Sequence, residues 1–146
     1  MRPILLLALA CVLTLPDIGR AQSAASAPAD TAAVRAVVGR YLHGLRFNDV
    51  AALREAFWPG AKLFWVKRDG TQGELSQEDW YKGFTANAGK EEEGDLAVTA
   101  LEVTGDIASV KVVETYKASV YIDYLSLLNV QGKWRIVNKV YTSHRR

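Results

Sequence analysis

The spacing of apolar residues changes period along the chain, and each change marks a new element. Val34, Val37, Val38, Tyr41, Leu42 and Leu45 recur at intervals of three and four, the signature of one buried helix face. Asp30 or Thr31 is placed to cap that helix, since a short side-chain oxygen satisfies the free N–H groups of a first turn. Asn48-Asp49 breaks the run and caps a second, short helix with Ala52, Leu53, Ala56 and Phe57 on its inner side. Trp58-Pro59-Gly60 ends it, because proline cannot continue a helix and glycine permits the reversal. Ala61 to Lys67 reads as a strand, Arg68-Asp69-Gly70 as a turn, and Thr71 to Leu75 as a short return strand. Ser76 and Asp79 form an S-x-x-D capping box opening a third helix that carries Trp80, Tyr81 and Phe84.

From Leu96 onward the period is two. Leu96–Thr104, Ile107–Tyr116, Tyr121–Val130 and Trp134–Ser143 alternate apolar and polar positions and are joined by short turns, as in an antiparallel meander. Tyr, Ile, Val, Leu and Trp fill both arms of the last hairpin, which turns at Gln131-Gly132-Lys133. Helices first and strands last is an α+β order: N-terminal helices covering one face of a curved, mainly antiparallel sheet.

The N-terminal residues fit neither pattern. Arg2 is followed by an apolar run from Ile4 to Leu15, the length of a signal-peptide core and too short to span a bilayer. Gly19-Arg20-Ala21 offers small residues for cleavage before Gln22. The expected organisation is a signal peptide over 1–21, a disordered linker over 22–29 and a folded domain over 30–146, in the periplasm or secreted, with no membrane span after cleavage. Cys11, the single cysteine, leaves with the signal peptide. A lipoprotein cleavage box at Ala8-Leu9-Ala10-Cys11 is the alternative.

Composition adds exclusions. The net charge is +2, and no basic stripe with interleaved aromatics appears, which argues against nucleic acid as a partner. His43 and His144 are far apart and lack metal-ligand spacing, so no metal site or other cofactor is expected. The run from Lys90 to Asp95 reads as a solvated loop and His144-Arg145-Arg146 as a solvated tail. Asp123 stands in an apolar strand, where a carboxylate needs a partner; Lys139 or Arg135 on the neighbouring strand is in reach. Glu114 and Tyr116 continue the face of Ala108, Val110 and Val112, the sparse polar placement that ligand pockets use.

Several blocks, in order, resemble the nuclear-transport-factor-2-like superfamily, and within it the small bacterial proteins grouped as putative lumazine-binding. They are Tyr41-Leu42-His43-Gly44, Asn48-Asp49, Leu53 to Phe57, Trp58-Pro59-Gly60-Ala61, Asp123 to Leu128, and Gly132-Lys133-Trp134 to Asn138-Lys139. The resemblance implies a cone-like barrel of bent sheet around the helices, often dimerising through the open sheet face. It also brings in ketosteroid isomerase, whose pattern is Arg-Tyr, then Asp, Phe and a carboxylate base at successive intervals of eight. Arg40-Tyr41, Asp49 and Phe57 fit that pattern, but Trp65 stands at the fourth place, and an indole is no general base.

Three functions remain open. The first is a non-catalytic domain binding a small apolar or planar molecule, with Tyr41, Trp65, Trp80, Tyr116 and Tyr124 as the aromatic lining. The second is an isomerase, cyclase or dehydratase with Asp123 or Glu114 as base and Tyr41 as oxyanion donor. The third is a dimerising interaction domain with a filled core. Homodimerisation is expected in any of them, with exposed apolar residues on the outer sheet face as its sign.

Overall fold

The computed structural model describes residues 28–146; the expected signal peptide, Cys11 and the expected linker before Pro28 lie outside the described residues. Helix α1 (Pro28–Phe47) is followed by α2 (Val50–Ala56), β1 (Phe57–Val66), β2 (Gln72–Ser76), α3 (Gln77–Tyr81) and a single 3-10 turn at Thr85–Asn87. Four long strands complete the chain: β3 (Gly94–Thr104), β4 (Ile107–Tyr116), β5 (Ser119–Val130) and β6 (Lys133–Arg145). The α+β architecture is as expected, with corrections at three places.

The first helix begins at Pro28, two residues inside the expected linker; proline suits a first helical position because its missing N–H is not needed there. Asp30 is therefore inside the helix and instead accepts a bond from the Trp134 indole N–H at 3.3 Å. Phe57 to Gly60 belong to β1 rather than to a helix end; Gly60, at φ +84, lies where the pairing with β6 is irregular between Phe57 and Lys62. β6 continues to Arg145, so the basic C-terminus is strand and not a loose tail.

The sheet order is β2-β1-β6-β5-β4-β3. β3 to β6 form the antiparallel meander, and β1 joins it by parallel pairing with β6, so the sheet is mixed. It is curved and open: β2 and β3 are edges and do not meet.

The helices lie on the inner face. Val34, Val37, Val38, Tyr41 and Leu45 of α1 pack with Leu53, Ala56 and Phe57 against Val110, Val112, Leu125, Leu127 and Ile136 of the sheet. Asp49 caps α2, its carboxylate accepting from the N–H groups of Ala51 and Ala52. Gly44 permits close approach of α1 and α2: a Cβ there would lie 2.5 Å from Leu53 Cδ2.

One irregularity aims side chains that strict alternation would misplace. β6 is inward at Trp134 and Ile136, then shifts register against β5 between Ser126 and Leu127. Beyond the shift Lys139 and Tyr141, not Asn138 and Val140, share the inner face.

Candidate functional site

Three strands and one helix deliver a buried polar cluster into this apolar interior. Tyr41 comes from α1, Glu114 from β4, Asp123 from β5 and Lys139 from β6. All four are buried, and Tyr41 and Asp123 completely so. Lys139 Nζ lies 2.7 Å from Asp123 Oδ2 and 3.8 Å from Glu114 Oε1. It also donates to the Tyr41 hydroxyl at 2.8 Å. That hydroxyl is in hydrogen-bond reach of Asp123 Oδ2 and, at 3.1 Å, of Glu114 Oε1, so its single proton has two competing acceptors. Tyr116 donates to Glu114 Oε2 at 3.2 Å.

The ammonium is also surrounded by aromatic faces. Lys139 Nζ is 5.0 Å from the ring centroid of Tyr141, 5.1 Å from that of Trp80 and 5.4 Å from that of Tyr41. Such faces attract a desolvated cation. The arrangement satisfies the requirement that a buried charge be paired and hydrogen-bonded. One atom stays out: Asp123 Oδ1 is buried with no hydrogen-bond partner among the described residues.

The electrostatics follow from burial. Desolvation, reinforced by Asp123 and opposed by Lys139, raises the Glu114 carboxyl to about 8, so it is protonated through the acid and neutral range. The Tyr41 phenol is held well above its usual range, first by burial and then by Glu114 and Asp123. Burial and Glu114 act in the same direction on Tyr116. With Glu114 protonated, Asp123 and Lys139 balance and the cluster is neutral.

Part of this cluster forms the floor of a cleft of about 760 Å3. Glu114 and Lys139 reach it together with Leu45, Trp80, Phe84, Tyr116 and Tyr121. Trp80 and Phe84 meet edge to face at 4.8 Å, and Trp80 and Phe57 at 5.6 Å, so the aromatic wall is continuous with the core. The rim is Glu91, Glu92 and Glu93. These glutamates are exposed, as the charge run implied, but their loop is fixed. Asn48 donates to Lys90 O at 3.0 Å, Glu92 N–H to Arg46 O at 2.7 Å and Gly89 N–H to Phe47 O at 2.9 Å. The strain this asks of Asn48, at φ +51, is of a kind asparagine tolerates.

The sequence-predicted residues separate into three groups. Trp80, Tyr116 and Glu114 line the cleft. Tyr41 and Asp123 lie beneath its floor, sealed from it, so Tyr41 is not a lining residue. Trp65 and Tyr124 are elsewhere. Trp65 stacks at 5.6 Å on Tyr141 in a different cleft. Tyr124 is on the outer face, 51% exposed, with Lys111 over its ring; its parity is opposite to that of Asp123 and Leu125, which removes it from the lining. Asp123 pairs with Lys139 and not with Arg135, which donates to the carbonyls of Arg54 and Phe57 at 3.2 Å. Lys139 as a cleft residue was legible only as a possible partner for Asp123. Leu45, Phe84 and Tyr121 gave no signal beyond apolar or strand periodicity.

The family model described as putative lumazine-binding matches residues 29–142. No curated protein matches the chain. Among solved structures, an NTF2-like protein of unknown function from Shewanella baltica OS155 is similar at TM-score 0.72 and 24% identity, covering 80% of this chain and 94% of that one. One from Silicibacter pomeroyi DSS-3 is 28% identical at TM-score 0.70, covering 80% and 97%. A ketosteroid isomerase-like protein from Erwinia carotovora atroseptica is 15% identical at TM-score 0.58, covering 78% and 95%, a likeness of fold alone.

Proposed function

The chain belongs to the putative lumazine-binding family of nuclear-transport-factor-2-like proteins, and from that premise we propose that it is an exported, non-catalytic small-molecule-binding domain. Its ligand is a small, mostly apolar or planar molecule held in the cleft between Trp80, Phe84 and Tyr116. The observation that carries this reading is the floor: a protonated Glu114 carboxyl and the Lys139 ammonium are the few convergent polar groups beneath an aromatic wall.

Non-catalytic is favoured because the candidate acid–base groups are engaged or sealed. Asp123 is bound to Lys139 and Tyr41 and has no exposed surface. Tyr41 has no proton left to give to a substrate oxygen. One observation favours the enzyme alternative: Glu114 reaches the cleft with a pKa near neutrality, suited to proton transfer.

Purification of the protein from its native host, with mass spectrometry of the intact chain and of whatever co-purifies, tests these points together. The expected result is a chain starting at Gln22 that carries a ring compound. Recovery of that compound should drop about tenfold in Phe84→Ala, which removes one aromatic wall. A preparation reproducibly free of small molecules sinks the binding reading. A compound chemically altered by the wild type but not by Glu114→Gln replaces it with the enzyme reading.

The domain is further proposed to be a homodimer through the outer sheet face. Tyr124 and Val140, paired across β5 and β6, are each about half exposed there and form an apolar patch. Val140→Lys should convert the dimer to a monomer in light scattering after size-exclusion chromatography. A wild-type chain that runs as a monomer at micromolar concentration removes this part of the proposal.

A further inference from the structure

The second cleft, of about 480 Å3, has a different chemistry and lies at the far ends of β1 and β6. Trp65, Tyr141 and Tyr121 supply its aromatic surface, and Lys67, Arg68 and Arg145 its charged one, with His144 beside them. No aspartate or glutamate lines it. Lys67, Arg68 and Arg145 form no ion pair among the described residues. The nearest acid in sequence, Asp69, is turned into its own loop, where its carboxylate accepts from Thr71 N–H at 3.0 Å and Thr71 Oγ1 at 2.7 Å.

The backbone that carries these cations is held in place. Arg145 pairs with Ser119 and His144 with Val120 in the β5–β6 ladder. Arg146 N–H donates to Ala118 O at 3.1 Å, fastening the end of β6 to the β4–β5 turn. On the other side Lys67 N–H donates to Thr71 O at 2.8 Å and Lys67 O accepts from Gly70 N–H at 3.0 Å. The aromatic floor is equally fixed: the Trp65 indole lies over Gly73, where a Cβ would come within 2.3 Å of the ring, and stacks on Tyr141 at 36°.

We propose that this cleft, which adjoins the one over Glu114 and Lys139 along Ala118, Ser119 and Tyr121, is a second ligand site and that it takes small aromatic phosphate monoesters. The ring rests on Trp65 and Tyr141. The phosphate is held by Arg68, Arg145 and Lys67. A guanidinium presents paired N–H donors that match phosphate oxygens, and like charges gathered at one mouth without counter-charges favour an anion between them. An aromatic floor beside that mouth discriminates a ring-bearing phosphate from a bare one. The site does not depend on the reading given to the first cleft.

Calorimetric titration of the full chain with phenyl phosphate, phenol and inorganic phosphate tests it. Phenyl phosphate should bind about tenfold more tightly than either half-molecule, and more weakly as salt screens the cations. The double variant R68A/R145A, exposed and outside the core, should lose about tenfold in affinity while its unfolding midpoint stays unchanged. The proposal is overturned if R68A/R145A binds like the wild type, if inorganic phosphate binds as tightly as phenyl phosphate, or if phenyl phosphate gives no heat at millimolar concentration.

Discussion

Replacing Lys139 with methionine is expected to destabilise the domain by about 3–5 kcal/mol, the range for removing one partner of a buried ion pair. The methionine fills much of the same volume, so the loss reports charge more than packing. Without the ammonium, Asp123 stays buried and loses the cation it is paired with. The loss is read as a lower urea midpoint at an unchanged slope. Combining the change with Asp123→Asn should return a substantial part of it, because the neutral pair no longer buries a lone charge. A loss below about 1 kcal/mol would mean that Asp123 relaxes toward solvent, and the sealed cluster described above would not be the state in solution.

The second large effect is on pH. Glu114 has a folded-state pKa of about 8 against an ordinary value of 4.5. Between these two values the folded chain holds a proton that the unfolded chain releases. Stability is therefore full below the unfolded value and falls as pH rises through the folded one, by at most about 1.4 kcal/mol per pH unit. Above that window both states are ionised and the slope from this residue vanishes. Glu114→Gln removes the proton from the balance. The difference in unfolding free energy between wild type and E114Q, followed from pH 5 to about 9, should shift steadily against the wild type as pH rises. A difference independent of pH would rule out the raised carboxyl.

Local periodicity reached most of the fold. The inner face of α1, the Ser76 cap and the alternation along β4 are each set by neighbours a few residues apart, and each was legible. What escaped depended on partners far away in sequence. Lys139 turns inward because β6 slips register against β5, and nothing in Arg135 to Val140 marks that slip. Phe57 to Gly60 carry helix-ending residues, yet they extend because Phe57 finds Ile136 on β6. Tyr124 was assigned to the pocket for being aromatic, while strict alternation from Asp123 already put it on the opposite face. The cluster was half legible: the need of Asp123 for a cation followed from its apolar strand, but convergence with Tyr41 and Glu114 required three strands and a helix to be assembled.

The parallel pairing of β1 with β6 also governs when the domain can form. The β1–β2 hairpin joins the sheet only through β6, which follows it in the chain by three other strands. Closing that contact means ordering a long intervening segment first, which makes folding slow relative to a chain of local hairpins. Until Asn138 and Lys139 have emerged, Lys62 and Leu63 have no partner on that edge, and the cluster has no cation. A chain lacking β6 would thus lose the centre of the sheet and not merely an edge.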